Sequence, residues 1–459
     1  MAKKKKKKIR WSGVAILAVF FSGVAVGLYF LLAYIGGIIK GWFTPSVAEE
    51  PEVVAEQSYI SPEKLTPDSL VVPRLERLVR QSTQLDTTIL SISLYDLSAQ
   101  AYVYELEASR PLIPASCMKI PTAIAAYELL GADHHYHTAL SVRGEVRDSV
   151  LYGDMHLQAD DDPMLLTFDS LVCQLQHAGI RSVRGELTYS IERTDTLSSH
   201  PSTMSWDIPY ARIPLLLRGE QYIKRQFRYA LSQAGITCSK HDDEEDFGVG
   251  YVADDNDQDA WREVAVYDTP LTDVLSPMLI YSSNVKAEAV LYHLDRHCSL
   301  LTLPQADWTI KHSVQRFWEE HFMGSSFASF ALRFRMQGAT MLDGSGLSPL
   351  NRLSTHFLVE MLRYAWSQPS LRDYLIDEGL ASPGHPTRRG SLSHRMDAPL
   401  YRDRIFVKTG TLTTQGVSSL SGYLHAPNGR WYIFSIINQN CPVAEGRLFQ
   451  DAFCKAMMQ

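Results

Sequence analysis

The sequence Pro-Ala-Ser-Cys-Met-Lys-Ile-Pro-Thr occupies positions 114–122 and leads into an apolar run from Ala123 to Leu130. The pattern predicts a helix whose first turns carry Ser116 and Lys119. Positions i and i+3 lie on the same face of a helix, so the two side chains are within reach of each other. A serine becomes a nucleophile when a base takes its proton, and a lysine kept neutral by burial is such a base. Taken alone, the S-x-x-K pattern is more typical of a solvated helix face.

A second candidate stretch, Ser-Pro-Met-Leu-Ile-Tyr-Ser-Ser-Asn at positions 276–284, precedes a helical run from Val285 to Leu294. Ser282 and Asn284 form an S-x-N pattern at this loop-to-helix junction. A hydroxyl and an amide two residues apart can enter one cleft, where the amide holds a substrate amide or the lysine and the hydroxyl relays a proton. The same pattern is found at ordinary helix N-caps.

A third stretch is the apolar strand 405–407, which ends in Lys408-Thr409-Gly410-Thr411 and is followed by a hairpin-like pair of strands. A lysine and a threonine on the edge of a sheet bind a carboxylate or carbonyl, and a glycine allows a close approach. The sequence therefore predicts a substrate-binding edge at this strand.

The order S-x-x-K, S-x-N, K-T-G resembles the motif set of the penicillin-recognising serine enzymes. Within that group the chain resembles the D-alanyl-D-alanine carboxypeptidase/endopeptidase family, the DacB-like class C low-molecular-mass penicillin-binding proteins. The Asp-Gly-Ser-Gly-Leu-Ser sequence at 343–348 and the Gly-Val-Ser-Ser-Leu-Ser-Gly-Tyr sequence at 416–423 carry this resemblance together with the K-T-G stretch. It spans roughly residues 70–457.

The resemblance implies a mixed α/β (α+β) fold with a penicillin-binding, β-lactamase-like transpeptidase core. An antiparallel sheet flanked by helices carries the K-T-G edge, and a β-rich domain is inserted between the first two motifs. The implied activity is that of a serine D-Ala-D-Ala carboxypeptidase, and also a DD-endopeptidase, which forms an acyl-enzyme with peptidoglycan stem peptides. β-Lactam antibiotics are the implied inhibitors, and neither a metal nor an organic cofactor is required.

Carried over position by position, the resemblance implies that Ser116 attacks the carbonyl of the penultimate D-alanine while Lys119 takes the serine proton. Ser282 passes a proton to the leaving amine, and Asn284 holds both the lysine and the substrate amide. The backbone N–H groups of Ser116 and Thr411 form the oxyanion hole.

The substrate-binding residues implied by the resemblance are Lys408, Thr409, Gly410, Thr411 and Asp162. Lys408 and Thr409 bind the terminal carboxylate of the stem peptide. Asp162 binds a cationic or amidated group of the stem peptide. The competing interpretation places Asp162 in a solvated acidic loop.

The chain of 459 residues has a net charge of −7, which argues against nucleic acid as a partner because nucleic-acid binding requires a basic face. Residues 3–10 are almost all basic and residues 11–39 carry no charge. This pattern predicts a single transmembrane helix with its basic end in the cytoplasm and the catalytic domain on the periplasmic, extracytoplasmic side of the cytoplasmic membrane.

The predicted division of the chain is a cytoplasmic tail and anchor at 1–42, a linker at 43–68, a catalytic domain at 69–137 plus 269–459, and an inserted domain at 138–268. The histidines of 134–137 and the acidic clusters are each possible metal ligands within a single segment, and surface side chains explain both without a metal. Two other functions remain open at this stage. One is a membrane-tethered, non-catalytic peptidoglycan-binding protein, and the other is a β-lactamase.

Overall fold

The computed structural model describes residues 66–82, 88–193, 195–198, 201–204, 207–238, 260–299 and 338–459. The predicted anchor at 1–42, most of the linker and the acidic segments near 242–246 and 254–259 lie outside these residues. Within the described ranges, no helix combines the length and the hydropathy that crossing a bilayer requires.

The helices of the described residues are α1 (Val71–Ser82), α2 (Lys119–Leu130), α3 (Asp169–His177), α4 (Glu220–Gln233), α5 (Leu271–Ile280), α6 (Asn284–Ser299), α7 (Thr355–Ser367), α8 (Pro369–Tyr374) and α9 (Val443–Met457). The strands are β1 (Ile89–Asp96), β2 (Ala101–Leu106), β3 (His135–Val142), β4 (Glu145–Arg147), β5 (Val150–Tyr152), β6 (Met155–Ala159), β7 (Ser182–Val183), β8 (Leu187–Ile191), β9 (Thr237–Cys238), β10 (Arg262–Pro270), β11 (Ile405–Leu412), β12 (Val417–His425) and β13 (Trp431–Gln439).

A five-stranded sheet with the strand order β11-β12-β13-β1-β2 forms the centre of the fold. All four of its strand pairs are antiparallel. β11, which carries the K-T-G residues, is an edge strand, and Lys408 pairs with Ser421 of β12. The mixed α/β class and the antiparallel sheet with K-T-G at its edge are therefore confirmed.

Both faces of this sheet are covered, because alternate residues of a strand point to opposite sides. On β13, Ile433 and Ile437 pack into a core that also contains buried residues of α2, α5, α6 and α7. Phe434 and Ile436 pack on the other side, against buried residues of α1 and α9. Burial of this kind contributes roughly 1.5–3 kcal/mol for each large aliphatic side chain, so both helical layers hold the sheet in place.

The segment between β3 and β10 contains two further sheets with the orders β10-β3-β6-β8 and β4-β5-β7-β9. Its apolar core includes Leu157, Phe168 and Phe227, with α3 and α4 packed on the strands. The chain leaves and returns on neighbouring strands, since His135 of β3 pairs with Pro270 of β10. The domain boundaries at residues 138 and 268 remain a prediction.

Residues 276–280, which precede the S-x-N residues, belong to α5. Pro277 lies inside this helix, where the loss of its N–H removes one helical hydrogen bond. The neighbours Leu275, Met278 and Leu279 are fully or almost fully buried. The free energy of burying these side chains offsets the cost of the proline.

Candidate active site

Ser116 lies in a single 3₁₀ turn, Ala115–Met118, directly before α2. The predicted helix therefore begins three residues later than the serine, at Lys119. Side chains at i and i+3 eclipse in a 3₁₀ turn, so the expected juxtaposition of Ser116 and Lys119 is retained. Ala115 has a φ of +48°, a left-handed conformation that costs an alanine about 1–2 kcal/mol.

The amine of Lys119 is the meeting point of three separate segments of the chain. Its Nζ lies 3.0 Å from Ser116 Oγ, 2.9 Å from Asn284 Oδ1 and 2.6 Å from the carbonyl oxygen of Ser345. Lys119 is 0% exposed, whereas Ser116 is only partly buried. The structure thus brings together the predicted nucleophile, the predicted base and the S-x-N asparagine.

The charge state of Lys119 is set by its surroundings. Burial, followed by the positive charge of Lys408, lowers the pKa of Lys119 well below its ordinary value. The carboxylates of Asp343 and Glu288 act in the opposite direction. Because burial and the second lysine dominate, the amine is able to lose its proton and act as a base.

The Ser345 carbonyl belongs to the D-G-S-G-L-S loop, which folds around one carboxylate. Asp343 accepts hydrogen bonds from the backbone N–H of Gly346 and of Ser348, both at 2.6 Å. Glu288 on α6 accepts from the Ser345 N–H at 3.0 Å. Burial and the charge of Asp343 raise the pKa of Glu288 to about 8. This loop supplies a partner of Lys119 that the sequence interpretation missed, although the loop itself was recognised as part of the family resemblance.

Two glycines allow the backbone to close around the nucleophile turn. A Cβ atom on Gly346, whose φ is +82°, would lie 1.9 Å from the carbonyl oxygen of Ala115. A Cβ atom on Gly410 would lie 2.1 Å from Ser419 Oγ and 3.0 Å from the backbone nitrogen of Ser116. The K-T-G glycine therefore allows β11 to approach the serine, as the sequence predicted.

The edge strand β11 presents a lysine and two threonines beside this turn. Lys408 is 0% exposed, and its Nζ donates to the Thr409 carbonyl at 2.9 Å. Burial lowers the pKa of Lys408 to about 8. The Thr409 hydroxyl lies 2.5 Å from that of Ser391.

A cation that was not predicted accompanies this edge. Arg447 on α9 donates from Nη2 to Thr411 Oγ1 at 3.0 Å. Arg447 is exposed and lies 36 residues from Thr411 in the sequence. It carries no motif signal, and only the contact of α9 with the sheet reveals it.

The S-x-N residues lie at the junction of α5 and α6. α6 begins at Asn284, as predicted, and this places the asparagine amide at Lys119. Ser282 precedes the helix in a left-handed conformation with a φ of +59°. The proposed proton relay by Ser282 remains a prediction.

The interpretation of Asp162 as part of a solvated loop was wrong, since the residue is 0% exposed. Its Oδ2 accepts from the Thr269 hydroxyl at 2.6 Å, and its Oδ1 accepts from the Met164 N–H at 2.7 Å. The positive charge of Lys286 on α6 also acts on this carboxylate. Asp162 therefore lies near the helix that carries Asn284, and its role in substrate binding remains a prediction.

Cys117, the residue after the serine, is fully buried. Its Sγ donates to the Lys408 carbonyl at 3.3 Å and accepts from the Ser419 hydroxyl at 3.3 Å. Burial raises the pKa of this thiol. Cys117 therefore packs the K-T-G strand against the nucleophile turn.

Comparison with known proteins agrees with this geometry. A D-alanyl-D-alanine carboxypeptidase from an Actinomadura species is 23% identical over 468 residues, which cover 82% of this chain and 82% of the relative. The crystal structure of penicillin binding protein 4 (DacB) from Haemophilus influenzae matches with a TM-score of 0.62 at 15% identity, covering 84% of this chain and 99% of that one. A predatory endopeptidase from Bdellovibrio bacteriovorus, solved in complex with an immunity protein, matches with a TM-score of 0.50 at 12% identity, covering 81% of this chain and 93% of that one.

The two structural matches show that the fold is shared. The profile of the D-Ala-D-Ala carboxypeptidase 3 (S13) family matches residues 71–211 and 216–458, which include all three motifs and most of the chain. The resemblance drawn from those motifs is therefore confirmed. The chain belongs to the D-Ala-D-Ala carboxypeptidase 3 (S13) family of peptidases.

Proposed function

We propose that this chain is a serine-type D-Ala-D-Ala carboxypeptidase that hydrolyses peptidoglycan stem peptides through an acyl-enzyme on Ser116 and is inhibited by β-lactams. The observation that carries the proposal is the set of three contacts at Lys119 Nζ. A neutral amine has two N–H donors and one lone pair. The carbonyl of Ser345 and the Oδ1 of Asn284 are acceptors only, so they take the two donors and leave the lone pair for the Ser116 hydroxyl.

Acylation begins when the Ser116 oxygen attacks the carbonyl carbon of the penultimate D-alanine and the serine proton passes to Lys119. The backbone N–H groups of Ser116 and Thr411 stabilise the oxyanion of the tetrahedral intermediate. The tight approach of β11 at Gly410 supports this pairing of N–H groups, because a side chain there would push the strand away from Ser116.

The intermediate collapses when the bond to the terminal D-alanine nitrogen breaks and the leaving amine takes a proton. Ser282 relays that proton, and Asn284 holds the amine of Lys119 and the substrate amide. The terminal carboxylate binds to Lys408, Thr409 and Thr411, and the Arg447 guanidinium adds positive charge at the same edge. Water then attacks the acyl carbonyl and releases Ser116.

The same acylation chemistry cleaves a cross-link between two stem peptides, so DD-endopeptidase activity is part of the proposal. Asp162 is proposed to bind a cationic or amidated stem-peptide group near the S-x-N helix. The localisation is proposed from the sequence alone. The basic residues 3–10 and the uncharged run 11–39 support a single-pass anchor in the cytoplasmic membrane, with the active site on the extracytoplasmic side.

Labelling with a fluorescent penicillin tests the nucleophile. We expect Ser116→Ala to lose labelling completely, because the acyl bond is proposed to form on Ser116 Oγ. Ser283→Ala serves as the control, since Ser283 belongs to the S-x-N stretch without a proposed catalytic role. Labelling of Ser116→Ala at the wild-type level contradicts the assignment.

Digestion of purified muropeptides, with the products identified by mass, distinguishes the two proposed reactions. Loss of one alanine from a monomeric stem peptide reports carboxypeptidase activity, and conversion of cross-linked dimers to monomers reports endopeptidase activity. Penicillin should abolish both. If the wild-type protein is acylated by penicillin and leaves all muropeptides intact, the substrate assignment is wrong.

A further inference from the structure

A buried group of ionisable side chains lies outside the catalytic site, where the segment between β3 and β10 meets α6. It consists of Asp161 after β6, Glu192 after β8 and His293 on α6. One potential ligand atom from each of the three lies within 4.8 Å of the others. His134, which precedes β3, contacts the same group through His293. We call these four residues the junction cluster.

The contacts within the junction cluster are short. His293 Nδ1 lies 2.6 Å from Asp161 Oδ1, and His293 Nε2 lies 2.9 Å from His134 Nε2. His293 is 1% exposed and Asp161 is 2% exposed. The contact of His134 with Nε2 fixes the orientation of the His293 ring and leaves Nδ1 facing Asp161.

The surroundings of the junction cluster carry an excess of buried carboxyl groups. The consecutive residues Asp160, Asp161 and Asp162 are all buried. The positive charges of Arg193 and Lys286 act on Asp161 and Asp162 respectively. Buried carboxylates are stabilised by a paired cation or by a bound metal, and an ion held by Asp161 and Glu192 would supply such a charge.

A tyrosine hydroxyl provides a second, independent observation. Tyr136 is 0% exposed, and in the described residues its hydroxyl has no hydrogen-bond partner. The ring centroid of Tyr136 lies 4.5 Å from that of His293 and 5.5 Å from that of His134. Among charged groups, Asp161 acts most strongly on this hydroxyl. Buried hydroxyls without a partner are rare, and a ligand or its bound water satisfies one.

We propose that the junction cluster binds one divalent transition-metal ion of the zinc class, with Asp161, Glu192 and His293 as ligands. His134 holds the second nitrogen of the His293 ring. Imidazole nitrogens combined with carboxylate oxygens suit zinc and its neighbours, whereas calcium and magnesium prefer sites made of oxygen alone. Bonds of about 2.0–2.2 Å in a tetrahedral site place the ligand atoms roughly 3.3–3.5 Å from one another, so the 2.6 Å contact of Asp161 with His293 opens when the ion binds.

The ligands come from three distant parts of the chain, which explains why no single segment of the sequence predicted the site. The histidines at 134–137 and the acidic run at 160–162 each look like surface features when they are considered separately. In the fold, the metal ties the ends of β6 and β8 to α6. Because α6 begins with Asn284, the ion stabilises the helix that contacts Lys119.

The proposal is tested by stripping the full chain with EDTA and titrating it with Zn²⁺, with calorimetry and the thermal midpoint as readouts. We expect one ion per chain and a rise in the midpoint, since an ion that binds the folded state alone stabilises it. Glu192→Gln and His293→Asn should each weaken Zn²⁺ affinity about tenfold or more. Glu192 is only half-buried, so its variant keeps the test valid if the His293 variant does not fold.

His137→Asn is the matched control, because the His137 ring contacts the carboxylates of Asp268 and Glu263 at the surface. Its affinity for Zn²⁺ should equal that of the wild type. The proposal is overturned if the wild type binds no Zn²⁺, or if Ca²⁺ raises the midpoint as much as Zn²⁺ does. It is also overturned if binding survives Glu192→Gln unchanged or is lost in His137→Asn. None of these readouts depends on peptidase activity.

Discussion

The amine of Lys119 lies 2.6 Å from the carbonyl oxygen of Ser345, a residue 226 positions further along the chain. When the amine is neutral, this contact and the one to Asn284 use its two donors and leave its lone pair for Ser116. The amine is therefore held by a loop carbonyl and by the first residue of α6, both outside its own helix. We expect substitutions at these two positions to affect the proposed chemistry as well as stability.

Replacing Lys119 tests its proposed role in catalysis separately from its effect on stability. We expect Lys119→Met to slow acylation by penicillin by about 10²–10⁴-fold, which is the usual contribution of a general base. The thermal midpoint should be unchanged or higher, because a buried amine is exchanged for an apolar side chain of similar length. Acylation rates from stopped-flow labelling and a thermal melt check both parts. A rate within about threefold of the wild type contradicts the assignment of the base.

The glycine that closes the D-G-S-G-L-S loop is expected to affect the nucleophile directly. In Gly346→Ala the new methyl group would lie 1.9 Å from the Ala115 carbonyl, so the turn that carries Ser116 must move. A displacement near 1 Å costs about 100-fold in rate, and we expect that loss in acylation.

Gly131→Ala is the matched control for this change. Gly131 also has a positive φ, +95°, but no atom lies within 4 Å of its added Cβ. Gly131→Ala should lose about 1–3 kcal/mol of stability from its positive φ, and Gly346→Ala should lose more because its methyl group also meets the Ala115 backbone. Only Gly346→Ala should lose acylation. Equal acylation rates in the two variants would show that the loop does not position Ser116.

The pH profile of kcat/KM should rise and then fall. Activity rises with pH as Lys119 loses its proton. Because the pKa of this lysine is lowered, the rise occurs at a lower pH than it would for an ordinary lysine. Activity falls as pH passes about 8, because Lys408 then loses the charge that attracts the substrate carboxylate. Measurement from pH 5 to 10 on a peptide ending in D-Ala-D-Ala checks the shape. A flat profile above pH 8 removes Lys408 from carboxylate binding.

Arg447 should act on binding of the substrate carboxylate. We expect Arg447→Ala to raise KM several-fold with little change in kcat, because the guanidinium contacts Thr411 and not the reacting atoms. A peptide that ends in an amide should show no such effect. Arg147→Ala, at an exposed position between β3 and β10, is the control. If the peptide acid and the peptide amide have similar KM values both in the wild type and in Arg447→Ala, Arg447 has no role in binding the substrate carboxylate.

Glu288 should make the free energy of unfolding depend on pH. The pKa of this buried carboxyl is raised to about 8 in the folded state, so its contribution is fully present below about pH 4.5 and is lost as pH rises through 8. Glu288→Gln should therefore gain stability relative to the wild type by more than about 1 kcal/mol between pH 5 and pH 9. Urea unfolding at three pH values measures this gain. The exposed Glu76→Gln should show no such trend.

The sequence predicted those parts of the site that depend on local spacing. Ser116 and Lys119 are three positions apart, and both an α-helix and the observed 3₁₀ turn place them on one side. The K-T-G strand has its own apolar run and its own glycine, so its position at a sheet edge was also predictable. Asn284 was located because it begins a helix.

Features that depend on long-range contacts were not predictable in this way. The Ser345 carbonyl and Arg447 reach the site only through the packing of a loop and of α9. Asp162 was interpreted as solvated because runs of aspartate are usually exposed, yet Thr269 and Lys286 enclose it. α5, which contains Pro277, was not predicted, and a proline inside a pattern normally indicates the end of a helix.

The central sheet joins the two ends of the catalytic fold, since Ile92 of β1 pairs with Ile436 of β13. Long-range pairing of this kind forms late, because loop closure must precede it. A nascent chain that has emerged as far as α7 still lacks the central and edge strands β13 and β11, and with them the partners that hold the nucleophile turn in place. The surroundings of Ser116 are therefore complete only after β11, β12 and β13 have been synthesised.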